Sequence, residues 1–166
     1  MKGLIAYNSI TGCNSKLAEL LFNKFYKLKN DFRVEKIVTE GRLPLPFLAF
    51  YSMLGIGQKL VFETDFDSYD VIVIIGPVYA NNIAPAVRQY VKNGNYFKNK
   101  QFFILPCCFT PAKNAIKQLS RLIQNKGGMV VDSTAIHPKN IKNSHKTEEM
   151  VSNLSDRILK SFYAHN

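Results

Sequence analysis

The chain has 166 residues, is 46% hydrophobic and 20% charged, and carries a formal net charge of +10. That length makes one compact domain over residues 1–166 the expectation, and the composition excludes a disordered chain. No apolar run approaches the ~18 residues of a membrane span, no leader pattern opens the chain, and three cysteines, two of them adjacent, cannot frame a disulfide scaffold. A cytoplasmic protein with no membrane partner is expected.

The charge is uneven. Residues 1–83 hold 9 Lys and Arg against 8 Asp and Glu, and residues 84–166 hold 13 against 4. Such an asymmetry marks a face for acidic partners or serves solubility alone.

Residues 2–7 read as a first apolar strand. Leu17, Leu20, Leu21, Phe25 and Leu28 recur at three- and four-residue spacing, which predicts an amphipathic helix from about Asn14 to Lys29. Phe32 to Val38 alternates as a short strand. The segment from Leu43 to Leu60 is apolar nearly throughout, with two prolines that can start a helix and two glycines that can stop one. We expect it to pack into the core on more than one side; a patch open to a substrate or another subunit is the alternative.

Val71 to Gly76 is an unbroken β-branched run, as a central parallel strand buried on both faces requires. A helix from about Ala84 to Lys92 follows, with Val87, Tyr90 and Val91 inward. Lys100 to Pro106 is a fourth strand, Ala115 to Ile123 a helix, Gly128 to Ile136 a fifth strand, and Val151 to Phe162 a last helix. This alternation predicts a three-layer α/β/α sandwich on a five-stranded parallel sheet of order 2-1-3-4-5. Ligands of such sheets sit beyond the carboxyl ends of the strands, where the strand order reverses.

Three loops fall there. The first, Ser9-Ile10-Thr11-Gly12-Cys13-Asn14, turns a buried strand into a helix. Free amides at a helix N-terminus and the helix dipole favour an anion, and uncharged hydroxyls add donors. Ser, Thr and Asn are also ordinary helix caps. The second loop runs from Gly76 to Pro85 through Pro77, Val78, Tyr79, Ala80, Asn81 and Asn82. The third is Pro106-Cys107-Cys108-Phe109-Thr110-Pro111.

Ser9-Ile10-Thr11-Gly12 at a helix start, followed about 65 residues later by Val71 to Gly76 and Pro77-Val78-Tyr79-Ala80, resembles the flavodoxin family, in its short-chain form. The resemblance implies FMN as cofactor. It implies that Ser9, Thr11, Cys13, Asn14 and the amides of Ile10 and Gly12 hold the phosphate. Tyr79 would then lie on one face of the flavin ring. Backbone groups of Val78, Ala80, Asn81 and Asn82 would meet its polar edge, Pro77 would also bind the cofactor, and Cys107, Cys108 and Phe109 would close the other side. Cys13 and Asn14 stand where flavodoxins usually carry Asn and Thr, so one amide donor is lost. Flavodoxins are also commonly acidic, whereas this chain is basic.

Other phosphate sites do not match. A P-loop needs Gly-Lys-Ser/Thr five residues after its first glycine, and Leu17 stands there. A small tyrosine phosphatase needs an arginine where Glu19 stands, and a receiver domain needs acids where Tyr7 and Asn8 stand. Cys107 and Cys108 are either packing residues or a reactive pair. His137, His145 and His165 show no metal-ligand spacing and are expected at the surface.

The expected function is electron transfer between a redox partner protein, acidic if charge selects it, and an acceptor that could be a small molecule. An NAD(P)H-dependent flavin or quinone reductase is the alternative. A flavin-free module for an acidic partner would draw on the basic second half. Nucleic acid is not expected, since those cations lack an interleaved aromatic platform.

Overall fold

The structure is a computed structural model that describes every residue except Glu63, Thr110, Asn143, His165 and Asn166, and the side chains of Lys142 and Ser144. Strand β1 (Lys2–Tyr7) leads into α1 (Cys13–Lys27), then β2 (Asp31–Lys36) and α2 (Leu45–Leu54). Next come β3 (Val71–Tyr79), a two-residue β4 (Asn82–Ile83), α3 (Pro85–Asn93), β5 (Gln101–Cys107) and α4 (Lys113–Gln124). The chain ends with β6 (Met129–Ser133), α5 (Pro138–Lys142) and α6 (Ser144–Ala164).

The parallel strands lie in the order β2-β1-β3-β5-β6, with β4 antiparallel on β3. Counting only the parallel members, this is the expected 2-1-3-4-5. Strand β3 is central, and its Val71 to Gly76 run is buried. Its alternate residues feed two separate cores. Ile72 and Ile74 pack with Val87, Tyr90, Leu119 and Ile123 on one face. Val71, Val73 and Ile75 pack with Leu17, Leu21, Phe25, Leu154 and Ile158 on the other. Helices therefore cover both faces, α1, α5 and α6 on one and α2, α3 and α4 on the other.

One close approach sets the register of β1 on β2. Gly3 pairs with Phe32, and a Cβ on Gly3 would fall 2.2 Å from the Phe32 ring. The ring lies over the bare backbone and stacks on Phe25 with centroids 3.9 Å apart. A glycine there gives the aromatic a flat seat.

Several expectations need correction. β3 runs on to Tyr79 rather than stopping at Gly76, because the chain turns back on itself and β4 supplies hydrogen-bond partners. Leu28 is exposed at the end of α1, past the last full turn. A short helix, α5, precedes the last helix. The largest departure is Leu43 to Leu60. It forms α2, begun by prolines and ended at Gly55 as expected, but only Leu48 and Ser52 of it are buried. The expectation of a helix packed on several sides rested on its composition alone. Composition states what a helix prefers and not what the rest of the chain has left to cover it.

Candidate functional site

Because the main strands are parallel, β1, β3 and β5 deliver their C-terminal ends to one edge of the sheet. There β1 turns into a helix on one face and β3 into a helix on the other, so a crevice opens between them.

The first loop is braced at its base. The Asn8 amide donates to Ile75 O (3.0 Å) and the Asn8 side chain to Ile37 O (3.1 Å). The Asn14 side chain is buried and donates to Asn8 O at 2.7 Å. Asn14 thus holds the loop shut from below with that amide. At the top, Gly12 sits at φ 85°, a left-handed conformation natural to glycine. Its N–H donates to Ser9 Oγ at 3.1 Å. Ile10 and Thr11 are exposed and Cys13 is half-buried. Among the described residues, no side chain caps α1. The first internal bond of the helix there is from Lys16 N–H to Gly12 O, 3.0 Å. The amides of Cys13, Asn14 and Ser15 precede it and have no acceptor within the helix.

The second loop is a tight hairpin rather than an open loop. Val78 and Tyr79 pair with Ile83 and Asn82, and Ala80 and Asn81 form the tip with φ 48° and 60°. Two positive φ values make a type I′ turn, the turn that matches strand twist. The Asn82 side chain donates to Ala80 O (2.6 Å) and accepts from Asn114 Nδ2 (2.8 Å) and Gln118 Nε2 (2.7 Å). Gln118 in turn accepts from Arg88 Nη2 at 2.6 Å. This polar chain, buried at Asn82 and Arg88 and half-buried at Asn114 and Gln118, pins the hairpin to α3 and α4. Arg88 is 8% exposed, its Nε has no partner among the described residues, and burial lowers its pKa. Sequence reading gave no role to Arg88, Asn114 or Gln118, since their contacts are thirty residues away in the chain. Tyr79 is half-buried, and burial pushes its phenol up to about 12.

In the third loop, Cys107 and Cys108 are buried and Phe109 is 71% exposed. The Phe109 ring meets His137 edge-on at 5.2 Å. Thr110 lies outside the described residues, as does His165; His145 is exposed and His137 half-buried. Burial, with the neighbouring Cys13 and Cys108 thiols adding to it, pushes the Cys107 thiol up to about 12. A thiol held so high stays protonated at neutral pH and is a poor nucleophile. That favours the packing role over the reactive pair.

A cavity of about 350 Å³ opens beside the first loop. Ser9, Ile10 and Tyr79 line it, together with Arg42 and Leu43 ahead of α2 and Leu48 within it. The remaining expected site residues are not among those that line it.

The overall fold is shared with known structures. The fold is that of the flavodoxins. Flavodoxin 2 from Bacillus cereus, solved in its oxidised form, superposes with a TM-score of 0.66 at 15% identity, over 97% of this chain and 99% of that one. A flavoprotein from Lactobacillus acidophilus NCFM, solved in complex with FMN, gives 0.64 at 19% identity, over 85% of this chain and 96% of that one. The apo form of an NADH:FMN oxidoreductase gives 0.67 at 13% identity, over 97% and 90%. No protein-family model and no curated protein sequence matches the chain. The flavodoxin likeness is thus one of architecture, at no more than 19% sequence identity in these three structures. Among the described residues, no helix is long and apolar enough to cross a membrane.

Proposed function

We propose that the chain binds FMN at the C-terminal edge of β1, β3 and β5 and passes electrons between redox partners in the cytoplasm. The observation that carries this reading is the N-terminus of α1. Its first amides have no acceptor within the helix, Gly12 just ahead of them is left-handed and holds Ser9 Oγ with its N–H, and Thr11 is exposed in the same turn. That donor set suits a phosphate dianion, and a phosphate at a helix start gains from the dipole as well.

The Gly12 N–H is already given to Ser9 Oγ. The donors left for the phosphate are the Ser9 and Thr11 hydroxyls and the amides of Ile10, Cys13, Asn14 and Ser15. Tyr79, fixed by the hairpin, offers the ring a flat face, and Phe109 the opposite side. Ala80 and Asn81 at the hairpin tip present backbone groups to the ring's polar edge. FMN held there supplies one- and two-electron redox chemistry, while the protein supplies binding, orientation and electrostatics. Three free cysteines and no disulfide among the described residues suit a reducing compartment.

A second reading draws on the cavity beside Tyr79. Its mixed lining of Arg42, Gln58, Leu43 and Leu48 could seat a small acceptor next to the flavin, as a flavin or quinone reductase needs. Steady-state oxidation of NAD(P)H with a quinone separates the two, because a carrier shows almost none without its reductase.

The flavin itself is tested directly. Protein purified from cells should carry flavin absorbance, and apoprotein should bind FMN far more tightly than riboflavin, which lacks the phosphate. Equal affinity for the two would overturn the role given to the α1 N-terminus.

A further inference from the structure

Helix α2 is the anomaly of the molecular surface. From Leu43 to Gln58 the sequence has no charged residue. Yet Leu45, Phe47, Phe50, Met53 and Leu54 are each more than half exposed, and Ile56 follows them into solvent. At 100° per residue these helical positions spread over an arc of about 200°. Leu48 and Ser52 are its buried residues, with Ala49 and Tyr51 half-buried. Scattered exposed apolar residues are ordinary, but a contiguous set of this size marks a contact.

The neighbourhood says what kind of contact. Every charged residue between Asp70 and Asp132 is Lys or Arg. That stretch builds α3 and α4, the helices that share a layer with α2. On α4, Lys113, Lys117 and Arg121 follow at four-residue spacing and are all exposed. Like charges so spaced repel one another along a helix, and no acid on α3 or α4 offsets the cost. An apolar helix, with an acid-free cationic helix in the same layer across α3, is therefore the surface to be matched.

We propose that the α2–α3–α4 layer docks on an anionic phospholipid bilayer, with α2 in the headgroup–acyl boundary and the α4 stripe against lipid phosphates. A second copy of the chain fits poorly, because it would bring the same cations to the same interface. A protein partner would need a groove shaped to a broad apolar arc, whereas the acyl boundary moulds to it. The contact is peripheral: α2 has 10 residues, about 15 Å of helix, and the hydrocarbon core is ~30 Å thick. The expectation of no membrane partner rested on the lack of a spanning run, which says nothing about a helix lying in the interface.

The test is co-sedimentation of the full chain with vesicles of phosphatidylcholine alone or mixed with phosphatidylglycerol. Binding to the mixed vesicles should be at least roughly tenfold tighter and should weaken with salt, each cation near the surface contributing about fivefold. A Phe47→Asp/Phe50→Asp variant should lose most of that binding. Lys117→Glu/Arg121→Glu should weaken it and flatten its salt dependence. These side chains are exposed, so far-UV circular dichroism should match the parent; Phe50→Ser replaces the double variant if it does not. Three results would overturn the proposal. One is no sedimentation with mixed vesicles at low salt, which leaves α2 to a protein partner. Another is binding unchanged by the Phe substitutions, which would reflect net charge alone. The third is a stable dimer in sedimentation velocity that those substitutions break.

Discussion

Replacing Gly12 by alanine isolates what the turn at the head of α1 contributes. At φ 85° an alanine must hold a left-handed conformation, which costs about 1–2 kcal/mol. Among the described residues, nothing beyond its chain neighbours lies within 4 Å of where its Cβ would be, so no clash adds to that cost. For a domain of this size each kcal/mol shifts Tm by about 2–4 °C. The alanine variant should therefore melt a few degrees below the parent when both are measured as apoprotein. Gly12→Asn should fall between them, since asparagine tolerates this region better. The same strain should pull the amides of Cys13 and Asn14 out of line. Losing one charge-assisted hydrogen bond, about 1.5–3 kcal/mol, corresponds to a tenfold or greater loss of FMN affinity. Thermal melts and a fluorescence titration with FMN read the two effects separately. An alanine variant as stable as the parent, or one less harmful than asparagine, would refute the left-handed turn.

Thr11→Val should weaken FMN binding far more than riboflavin binding, while Tyr79→Ala should weaken both; parallel titrations of the two flavins check this. Gly3→Ala places a methyl 2.2 Å from the Phe32 ring and should destabilise by about 1–3 kcal/mol, read in a urea melt. Stability should also fall at alkaline pH. Burial raises the Cys107 thiol from near 9 and the Tyr79 phenol from near 10, both to about 12. The folded state then keeps protons that the unfolded state releases, so stability is full below pH 9 and drains away as pH rises towards 12. Urea melts from pH 8 upward should show the decline, and Cys107→Ala should shrink its first part; a flat profile in the parent would contradict the burial of that thiol.

What the sequence determined by itself was the order and kind of the main elements, because hydrophobic period and the turn residues between elements are local. The β-branched run of Val71 to Gly76 could only be a central strand, and Leu17, Leu21 and Phe25 could only line one helix face. The Ser9 to Gly12 turn was legible for the same reason, since its glycine and hydroxyls do their work within a few residues. Tertiary structure alone decided whatever depended on partners distant in the chain. The hairpin of β3 and β4 is held by Asn114 and Gln118, more than thirty residues away, and nothing near Asn82 announces them. Helix α2 makes the same point from the other side. Its apolar composition was plain, but whether it lay inside or outside turned on the surface the rest of the fold had left, which no local pattern records.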